Sequence, residues 1–239
     1  MDKSKLPTQR ADETAQDTGA AGATGLRTRQ KAQRREQILA EAKALFADTG
    51  VDAVTMAEIA EAAGVSTPTV FNYFGNKDGI LIALITEGTQ KARTNSKVLK
   101  PRTDVDFVTA LLAVFMDISV ETMAIASKRI WRYAHAASTR HPTTEFARAF
   151  KEVDKALLDL TEDILSQYTL TLANGTQGDG RHIAHLFFDV WFSTFQDFIQ
   201  SPDMAVDTHC DQLRARFAPL CQMIFAPDFL TAPTLSHAR

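Results

Sequence analysis

The sequence contains little of what marks a secreted or redox-active protein. Cysteine occurs only twice in 239 residues, as Cys210 and Cys221. Both lie in one predicted helix, where eleven positions separate them by about 16 Å along the axis, too far for a disulfide bond. We interpret both as small buried apolar side chains that stay reduced, rather than as a redox switch.

Long apolar runs and an excess of one charge sign are also missing. No stretch of roughly eighteen uncharged apolar residues occurs, so we expect no membrane span. The opening MDKSKLPTQR has no apolar run behind its lysines, so we expect no secretory signal and a cytoplasmic location. The net charge of −3 gives no general reason to expect nucleic acid or an acidic membrane as partner, so any such case must rest on local charge.

Motifs of common enzyme classes do not occur either. The sequence has no G-x-S-x-G elbow, no phosphate-binding loop, no H-E-x-x-H pair and no histidine and cysteine framework. It also lacks period-two strands and internal repeats. We therefore predict an all-α protein that is not an enzyme and needs no cofactor. His182 and His185 with Asp189 have the helical spacing of metal ligands, but without a fourth donor we interpret them as a solvated helix start and predict no metal site.

The first residues differ in composition from the rest of the chain. Residues 1–26 are small, polar and dotted with glycine, without a periodic apolar face, so we expect a flexible tail. Basic residues then cluster, and apolar residues recur at helical spacing up to Gly50. The cluster comprises Arg27, Arg29, Lys31, Arg34 and Arg35. This pattern predicts a helix with a basic entrance.

The segment TMAEIAEAAGVSTPTVFNYF predicts two short helices joined by a tight turn. Thr55 followed by Glu58 is a capping box that begins the first helix. Gly64 supplies the left-handed conformation of the turn, and Ser66 is a good cap for the next helix, with Pro68 in its first turn. This spacing is that of a helix-turn-helix.

The second of these helices has an uncharged outward face. Thr67 with Phe71, and Pro68 with Asn72, form two i, i+4 pairs on it, whereas Phe74 points inward. Asparagine can pair bidentately with adenine, and a phenylalanine ring or a threonine methyl can pack on the thymine methyl group. The face therefore suits base edges in a DNA groove.

Residues 34–81, with the run TMAEIAEAAGVSTPTVFNYFGNKDGIL, resemble the DNA-binding domain of the TetR/AcrR family of transcriptional regulators. The resemblance implies a homodimer whose two such domains read a pseudo-palindromic operator in double-stranded DNA. It also implies a variable C-terminal domain that binds a small-molecule effector, upon which the protein releases its DNA. Members of the family are usually repressors. We divide the chain into the tail (1–26), a helix-turn-helix domain (27–80) and a regulatory domain for ligand binding and dimerisation (81–239).

The resemblance implies roles for individual residues. It assigns phosphate contacts to Thr55, Tyr73 and Lys77, and groove contacts to Thr67, Pro68, Thr69, Phe71 and Asn72. From local charge we add Arg27, Arg29 and Arg34 as phosphate-binding residues, the first two on a mobile arm that could enter a minor groove. The chain departs from the family pattern at two positions. Pro68 stands where the family often has glycine, and it has no backbone N–H. Phe71 stands where the family often has tyrosine, and it has no hydroxyl.

One helix of the C-terminal half predicts that this half dimerises. The helix HIAHLFFDVWFSTFQDFI has an apolar arc too wide for one buried face. We expect one side of it to face its own core and the other to form a four-helix interface with a second subunit. The partner helix in that interface would be the one around Leu213, Phe217, Leu220 and Ile224.

The same half is also predicted to contain a ligand pocket. Apolar residues that could line it are Phe107, Leu111, Phe115, Trp131, Phe188 and Trp191, with Arg132 and His135 as polar groups. The alternative is that these residues are plain core. Arg132 could meet a carboxylate or phenolate of a ligand, or pair with Glu121. A regulator without a small-molecule ligand, controlled by a protein partner, is the alternative function, which a filled core would favour.

Overall fold

A computed structural model describes residues 17–95 and 100–236, and its regular structure there is helical. The helices are α1 Asp17–Asp48, α2 Met56–Ala62, α3 Thr67–Phe74, α4 Lys77–Asn95, α5 Phe107–Ile125, α6 Lys128–Arg140, α7 Glu145–Leu165, α8 Gly180–Gln200, α9 Val206–Ile224 and α10 Pro227–Thr231. Within these ranges extended pairing is limited to isolated bridges, such as that between Tyr168 and Leu235. The predicted all-α class is confirmed.

The first helix begins earlier than the sequence suggested. It includes residues 17–26, which we expected to be part of a flexible tail; residues 1–16 lie outside the described residues. Propagation adds one hydrogen bond for each residue fixed, so the helix formed over the basic segment continues into this stretch, although each of its three glycines costs about 1 kcal/mol relative to alanine. The flexible-tail prediction is therefore wrong for residues 17–26.

Helices α1, α2 and α3 share a small core. Ile38, Phe46, Ile59 and Val70 are fully buried in it. Helix α4 continues this packing, since it lies against α1 and α3 and also against α5 and α7. It therefore belongs to both parts of the molecule and links them mechanically.

The larger C-terminal part is built around α5. This helix is long and apolar enough, by length and composition, to cross a membrane. It packs against α4, α9 and α10, however, and its Phe107 and Phe115 are fully buried. These contacts are those of the core helix of a bundle.

Helices α8 and α9 pair within one protomer. Phe187 of α8 and Phe217 of α9 are both fully buried, with ring centroids 5.0 Å apart. Leu213 is also fully buried, whereas Leu220 and Ile224 are half-buried. The expectation that Leu213 and Phe217 meet a second subunit is therefore wrong, because α9 already covers the apolar arc of α8 from within the chain.

Candidate functional site: nucleic-acid interface and ligand cavity

The start of α2 is held by the predicted capping box. The Thr55 hydroxyl accepts a hydrogen bond from the Glu58 backbone N–H at 3.2 Å, and Glu58 Oε2 accepts one from the Thr55 backbone N–H at 2.7 Å. The second bond, together with a bond from the Thr55 hydroxyl, lowers the pKa of Glu58. Thr55 is exposed, but its hydroxyl is engaged in the cap, so its predicted phosphate contact stays a prediction.

The turn between α2 and α3 depends on Gly64. Its φ of 63° lies in the left-handed region, and the Val65 N–H then donates to the Ala60 carbonyl at 2.9 Å. Ser66 precedes α3 but makes no side-chain cap bond. Its hydroxyl lies 2.8 Å from that of Thr69, so the side chain pairs with its neighbour instead of capping the helix as we expected.

The structure places the outer face of α3 as the sequence predicted. Pro68, Phe71 and Asn72 are exposed, and Phe71 leaves 48% of its surface in solvent. Thr67 and Thr69 are half-buried at the edge of this face. An aromatic ring left this open on a short helix has no role in the core, so it is available to a partner.

The inner side of α3 is anchored on α1. Phe74 is half-buried, and the Arg35 guanidinium lies 5.0 Å from the centre of its ring. Arg35 also forms an ion pair with Glu87 of α4. The Tyr73 hydroxyl donates a long bond of 3.3 Å to the Lys31 carbonyl. These contacts fix how α3 is presented.

Lys77 has a structural role that the sequence did not indicate. Its ammonium donates to the carbonyls of Val51 and Asp52 at 2.8 and 2.9 Å, fastening the α1–α2 loop to the start of α4. An ammonium has three N–H donors, so one remains for a phosphate. The phosphate contacts of Tyr73 and Lys77 stay predictions, and part of any Lys77 effect will reflect folding.

The basic cluster lies on a helix. Arg27, Arg29 and Arg34 are exposed side chains of α1. The expectation that Arg27 and Arg29 sit on a mobile arm is therefore wrong, because the helix extends past them to Asp17. Their charge is presented from a rod, which suits phosphates along a backbone better than insertion into a minor groove.

A narrow cavity of about 40 Å³ lies among α4, α5, α6, α7 and α8 and is partly open to solvent. The residues lining it are Thr89, Ala92, Arg93, Asp117, Ile118, Glu121, Thr122, Ile125, Trp131, His135, Val153, Asp154, Leu157, Leu160, Trp191, Phe192 and Phe195. Of the eight residues predicted to bind ligand, Trp131, His135 and Trp191 belong to this set.

The other predicted ligand residues lie elsewhere. Phe107, Leu111 and Phe115 line a smaller apolar gap between α5 and α7. Phe188 is outside the lining and stacks on Phe192, with centroids 6.3 Å apart. Their burial identifies these four as core residues.

Arg132 neither lines the cavity nor pairs with Glu121. Its guanidinium donates to the Ile199 carbonyl near the C-terminal end of α8, at 2.6 Å. Trp131 and His135, one turn apart, are the residues of α6 that face the cavity, so Arg132 points about 100° away. A cation near the last carbonyls of a helix is favourable there.

Three acidic residues of the cavity were missed at the sequence level as ligand-facing groups: Asp117, Glu121 and Asp154. The available signal was an i, i+4 acidic pair on the most apolar helix, and a carboxylate beside the apolar stripe of α7. Burial raises the pKa of Asp154 to about 6. Burial also lowers the pKa of His135 to about 4, so this imidazole is neutral at pH 7.

Both tryptophans of the cavity are fixed to α5 by their indole N–H groups. Trp131 donates to the Thr122 carbonyl and Trp191 to the Ser119 hydroxyl, each at 2.9 Å. Ser119 in turn lies 2.9 Å from Nε2 of His209, a buried residue of α9. A hydrogen-bonded chain therefore runs from the cavity wall to α9.

The described residues include several histidines, cysteines and carboxylates, but they do not come together as metal ligands. No group of three or more His, Cys, Asp or Glu in ranges 17–95 and 100–236 could hold a metal ion. His185 instead lies 3.0 Å from Glu162 of α7, and His182 lies 3.5 Å from Asp179, the N-cap of α8. Cys221 is buried, which raises its pKa to about 12, and both cysteines are free thiols.

Comparisons with known proteins agree with this geometry. The family model "Bacterial regulatory proteins, tetR family" matches residues 38–84. The regulator BetI of Rhizobium meliloti is 41% identical over 63 residues, which are 26% of this chain and 31% of BetI. The matches span about a third of the length of such curated relatives.

Solved structures extend the likeness to most of the chain. A TetR-family regulator from Mesorhizobium loti superposes with a TM-score of 0.62 at 17% identity, covering 82% of this chain and 98% of that one. AibR, solved with isovaleryl coenzyme A and operator DNA, has a TM-score of 0.54 at 19% identity, covering 78% and 98%. Such identities show the fold, and the family model and relatives identify the DNA-binding segment. Residues 38–84 therefore match the DNA-binding segment of the tetR family of bacterial regulatory proteins, and most of the chain has the fold of TetR-family regulators.

Proposed function

We propose that this chain is a sequence-specific DNA-binding transcriptional regulator, a repressor that a small molecule in the α4–α8 cavity releases from its operator. It would act in the cytoplasm as a homodimer on a pseudo-palindromic site in double-stranded DNA. The observation that carries the proposal is the exposed, uncharged outer face of α3 on a tightly held helix-turn-helix.

Base reading would rest on the exposed residues of α3. Asn72 can donate to and accept from the edge of an adenine, and Phe71 can pack on a thymine methyl group. Pro68 adds a rigid apolar surface at the helix start, where a recognition helix commonly meets base edges. Phosphates would be held by Arg27, Arg29 and Arg34 and by the remaining donor of Lys77.

Ligand response would travel through contacts between α1 and the C-terminal helices. The Arg129 guanidinium of α6 donates to the carbonyls of Asp48 and Thr49, at 2.6 and 2.7 Å. Lys43 of α1 donates to the Ala124 carbonyl of α5 at 2.7 Å. Helices α4, α5 and α6 all line the cavity, so a ligand that favours a different arrangement of them would move the recognition helices.

Apolar residues stay exposed on α8 and α9 after their mutual packing, and they are the surface proposed for the dimer. Met223 leaves 69% of its side chain in solvent and Leu186 leaves 40%. Half-buried Val190 and Leu220 are the other apolar residues of this outer surface. Self-association through these residues would form the four-helix interface expected from the sequence, with a different set of side chains.

The cavity favours a small-molecule effector over control by a protein partner alone. A filled core would have supported the alternative, whereas the space among α4 to α8 has aromatic walls and polar groups facing inward. Two TetR-fold neighbours are described as complexes with isovaleryl coenzyme A and lauroyl-CoA, which supports an effector site in this fold.

Selection of bound duplexes from random DNA tests the proposal. We expect enrichment of a pseudo-palindrome whose half-sites lie roughly one helical turn, about 34 Å, apart or a multiple of it. Screening small molecules for release of that duplex then tests the ligand response. Recovery of no sequence preference after several rounds would refute the DNA-reading role.

A further inference from the structure

The cavity has aromatic walls on two sides. Trp131 lies on α6, and Trp191, Phe192 and Phe195 lie on α8. The rings of Trp191 and Phe195 are stacked, with centroids 5.2 Å apart. Aromatic faces carry negative electrostatic potential, so such walls attract a cation that has lost its water.

The charged groups around the cavity are mainly acidic. Helix α4 contributes Arg93, α5 contributes Asp117 and Glu121, and α7 contributes Asp154. His135 of α6 is neutral at pH 7 because burial lowers its pKa to about 4. Three carboxylates therefore face a single guanidinium.

Two of these carboxylates have no partner among the residues that the structure describes. Glu121 and Asp154 make no hydrogen bond or ion pair with any residue in the part of the chain that the structure describes. The raised pKa of Asp154 has burial as its cause, without a compensating cation. A half-buried carboxylate without a partner costs stability, and such groups concentrate at functional sites.

We propose that the effector cavity takes an organic cation with an apolar body, an amine or quaternary ammonium, held between Glu121, Asp154 and the tryptophan rings. This inference rests on the proposed function, since it assumes that the effector site is this cavity. The cation would supply the charge that the two carboxylates lack, and its hydrocarbon part would contact the apolar walls.

An anionic effector fits the same cavity poorly. A ligand carboxylate or phosphate would be placed near Glu121 and Asp154, and among the described residues that line the cavity Arg93 is the one permanent cation. Like charges brought together in a site of low dielectric repel strongly.

The protein carries its own probe for the test. Its only two tryptophans, Trp131 and Trp191, both line the cavity, so intrinsic fluorescence reports on that site. The full chain is titrated with phenethyltrimethylammonium, with its neutral carbon isostere 3,3-dimethylbutylbenzene, and with 4-phenylbutyrate. Equilibrium dialysis of the ammonium probe checks binding without an optical signal.

We expect the ammonium probe to bind at least about tenfold more tightly than the isostere and the anion, because cation–π contact and an ion pair both add to its affinity. Asp154→Asn and Glu121→Gln should each weaken the ammonium about tenfold and leave the isostere unchanged. Asp159→Asn is the matched control, since Asp159 lies on the same helix, outside the cavity lining, and pairs with Lys155 at 2.7 Å.

Three results would overturn the inference: equal or tighter binding of the neutral or anionic probe, no binding of the ammonium at millimolar concentration by dialysis, or unchanged affinity in both variants. Release of the selected operator by the ammonium, followed in the same samples, separates the two proposals. Binding of the cation without release of DNA would contradict ligand-controlled DNA binding but not the cationic ligand class. Binding of the anion with release of DNA would contradict the cationic ligand class but not ligand-controlled DNA binding.

Discussion

Asp154 lowers the stability of the folded protein at neutral pH, which accords with the role proposed for it in the cavity. Burial raises its pKa to about 6, above its ordinary value near 3.8. The folded state therefore binds more protons between these two values, and the stabilising contribution present below pH 3.8 is lost as pH rises through 6. At neutral pH the ionised carboxylate is a net cost.

The first prediction is that Asp154→Asn stabilises the free protein at pH 7.5. We expect a gain in the free energy of unfolding of about 1 to 3 kcal/mol, since each unit of pKa shift corresponds to about 1.4 kcal/mol. Urea unfolding followed by circular dichroism measures it. The gain should vanish near pH 4, and a gain that persists there would refute the carboxylate's charge as its cause.

Ser119 and His209 form the second residue-scale case. If Ser119 donates to the Phe115 carbonyl, at 3.0 Å, then His209 must donate through Nε2, and its buried Nδ1 is a bare lone pair. If Ser119 instead donated to Nε2 of His209, the proton would be on Nδ1, and a buried N–H without an acceptor costs more than a buried lone pair. Ser119 therefore accepts from both His209 and Trp191.

The second prediction compares two serines whose hydroxyls are buried. Ser119→Ala leaves two N–H donors without an acceptor, so it should lower the free energy of unfolding by about 2 to 4 kcal/mol. The Ser127 hydroxyl has no partner among the described residues, so Ser127→Ala should change the free energy of unfolding by less than about 0.5 kcal/mol. Equal effects in urea unfolding would contradict the network.

Sequence reasoning at the residue scale succeeded where local geometry decides. The capping box of Thr55 and Glu58 and the turn at Gly64 follow from spacing and backbone conformation alone. It did not indicate the structural hydrogen bonds of Lys77 and Arg132, whose acceptors are carbonyls 25 and 67 residues away along the chain. No local pattern contains such partners.

At the scale of elements, the junction between α1 and α6 is the clearest mechanical link. Arg129 donates to two carbonyls at the end of α1, beside Gly50, whose φ is 100°. A Cβ at Gly50 would come within 2.7 Å of the guanidinium, which would have to shift away from these carbonyls, and the positive φ itself favours glycine here. The contact holds the helix-turn-helix against the cavity-bearing helices.

The third prediction concerns this link. Arg129→Ala removes two charge-assisted hydrogen bonds and should cost about 1 to 3 kcal/mol of stability. Hydrogen exchange should accelerate at the end of α1 and in the α1–α2 loop, but not in α8. Arg140→Ala, an exposed residue of the same helix, is the control. Uniform acceleration over the whole chain would indicate general destabilisation instead of a local link.

The elements themselves were predictable to different degrees. Helical periods identified the helices, and the wide apolar arc of α8 correctly indicated burial on more than one side. The identity of the covering helix was not predictable, because α9 of the same chain and a second subunit present the same apolar stripe to a sequence pattern. Only the packing of Phe187 on Phe217 decided it.

In the molecule as a whole, α4 and the α1–α6 contact connect the helix-turn-helix part (α1, α2 and α3) to the cavity. The cavity could be anticipated only in part. Trp131, His135 and Trp191 were recognisable as aromatic or polar groups on apolar helices. Of the acidic residues, the sequence pointed only to Glu121, as a possible partner of Arg132. Which of several apolar stripes encloses space depends on how five helices meet.

The fourth prediction concerns assembly. The protein should sediment as a dimer, at about twice the 26.3 kDa of the chain. Leu186→Glu combined with Met223→Glu should yield a folded monomer, because both side chains are exposed in the protomer. Val120→Glu, which changes an exposed apolar residue of α5, is the control and should leave the dimer intact. A monomeric wild-type protein at micromolar concentration would contradict the dimer.

The fifth prediction and most direct test compares Asn72→Ala with Lys77→Ala on the selected operator and on a scrambled duplex, by fluorescence anisotropy across a salt series. We expect Asn72→Ala to reduce the preference for the operator about tenfold or more, at about 1 to 3 kcal/mol for each half-site, with an unchanged salt slope. Lys77→Ala should weaken both duplexes alike and flatten that slope. Equal loss of preference in both variants, or an unchanged preference in Asn72→Ala, would contradict the claim that the outer face of α3 reads DNA.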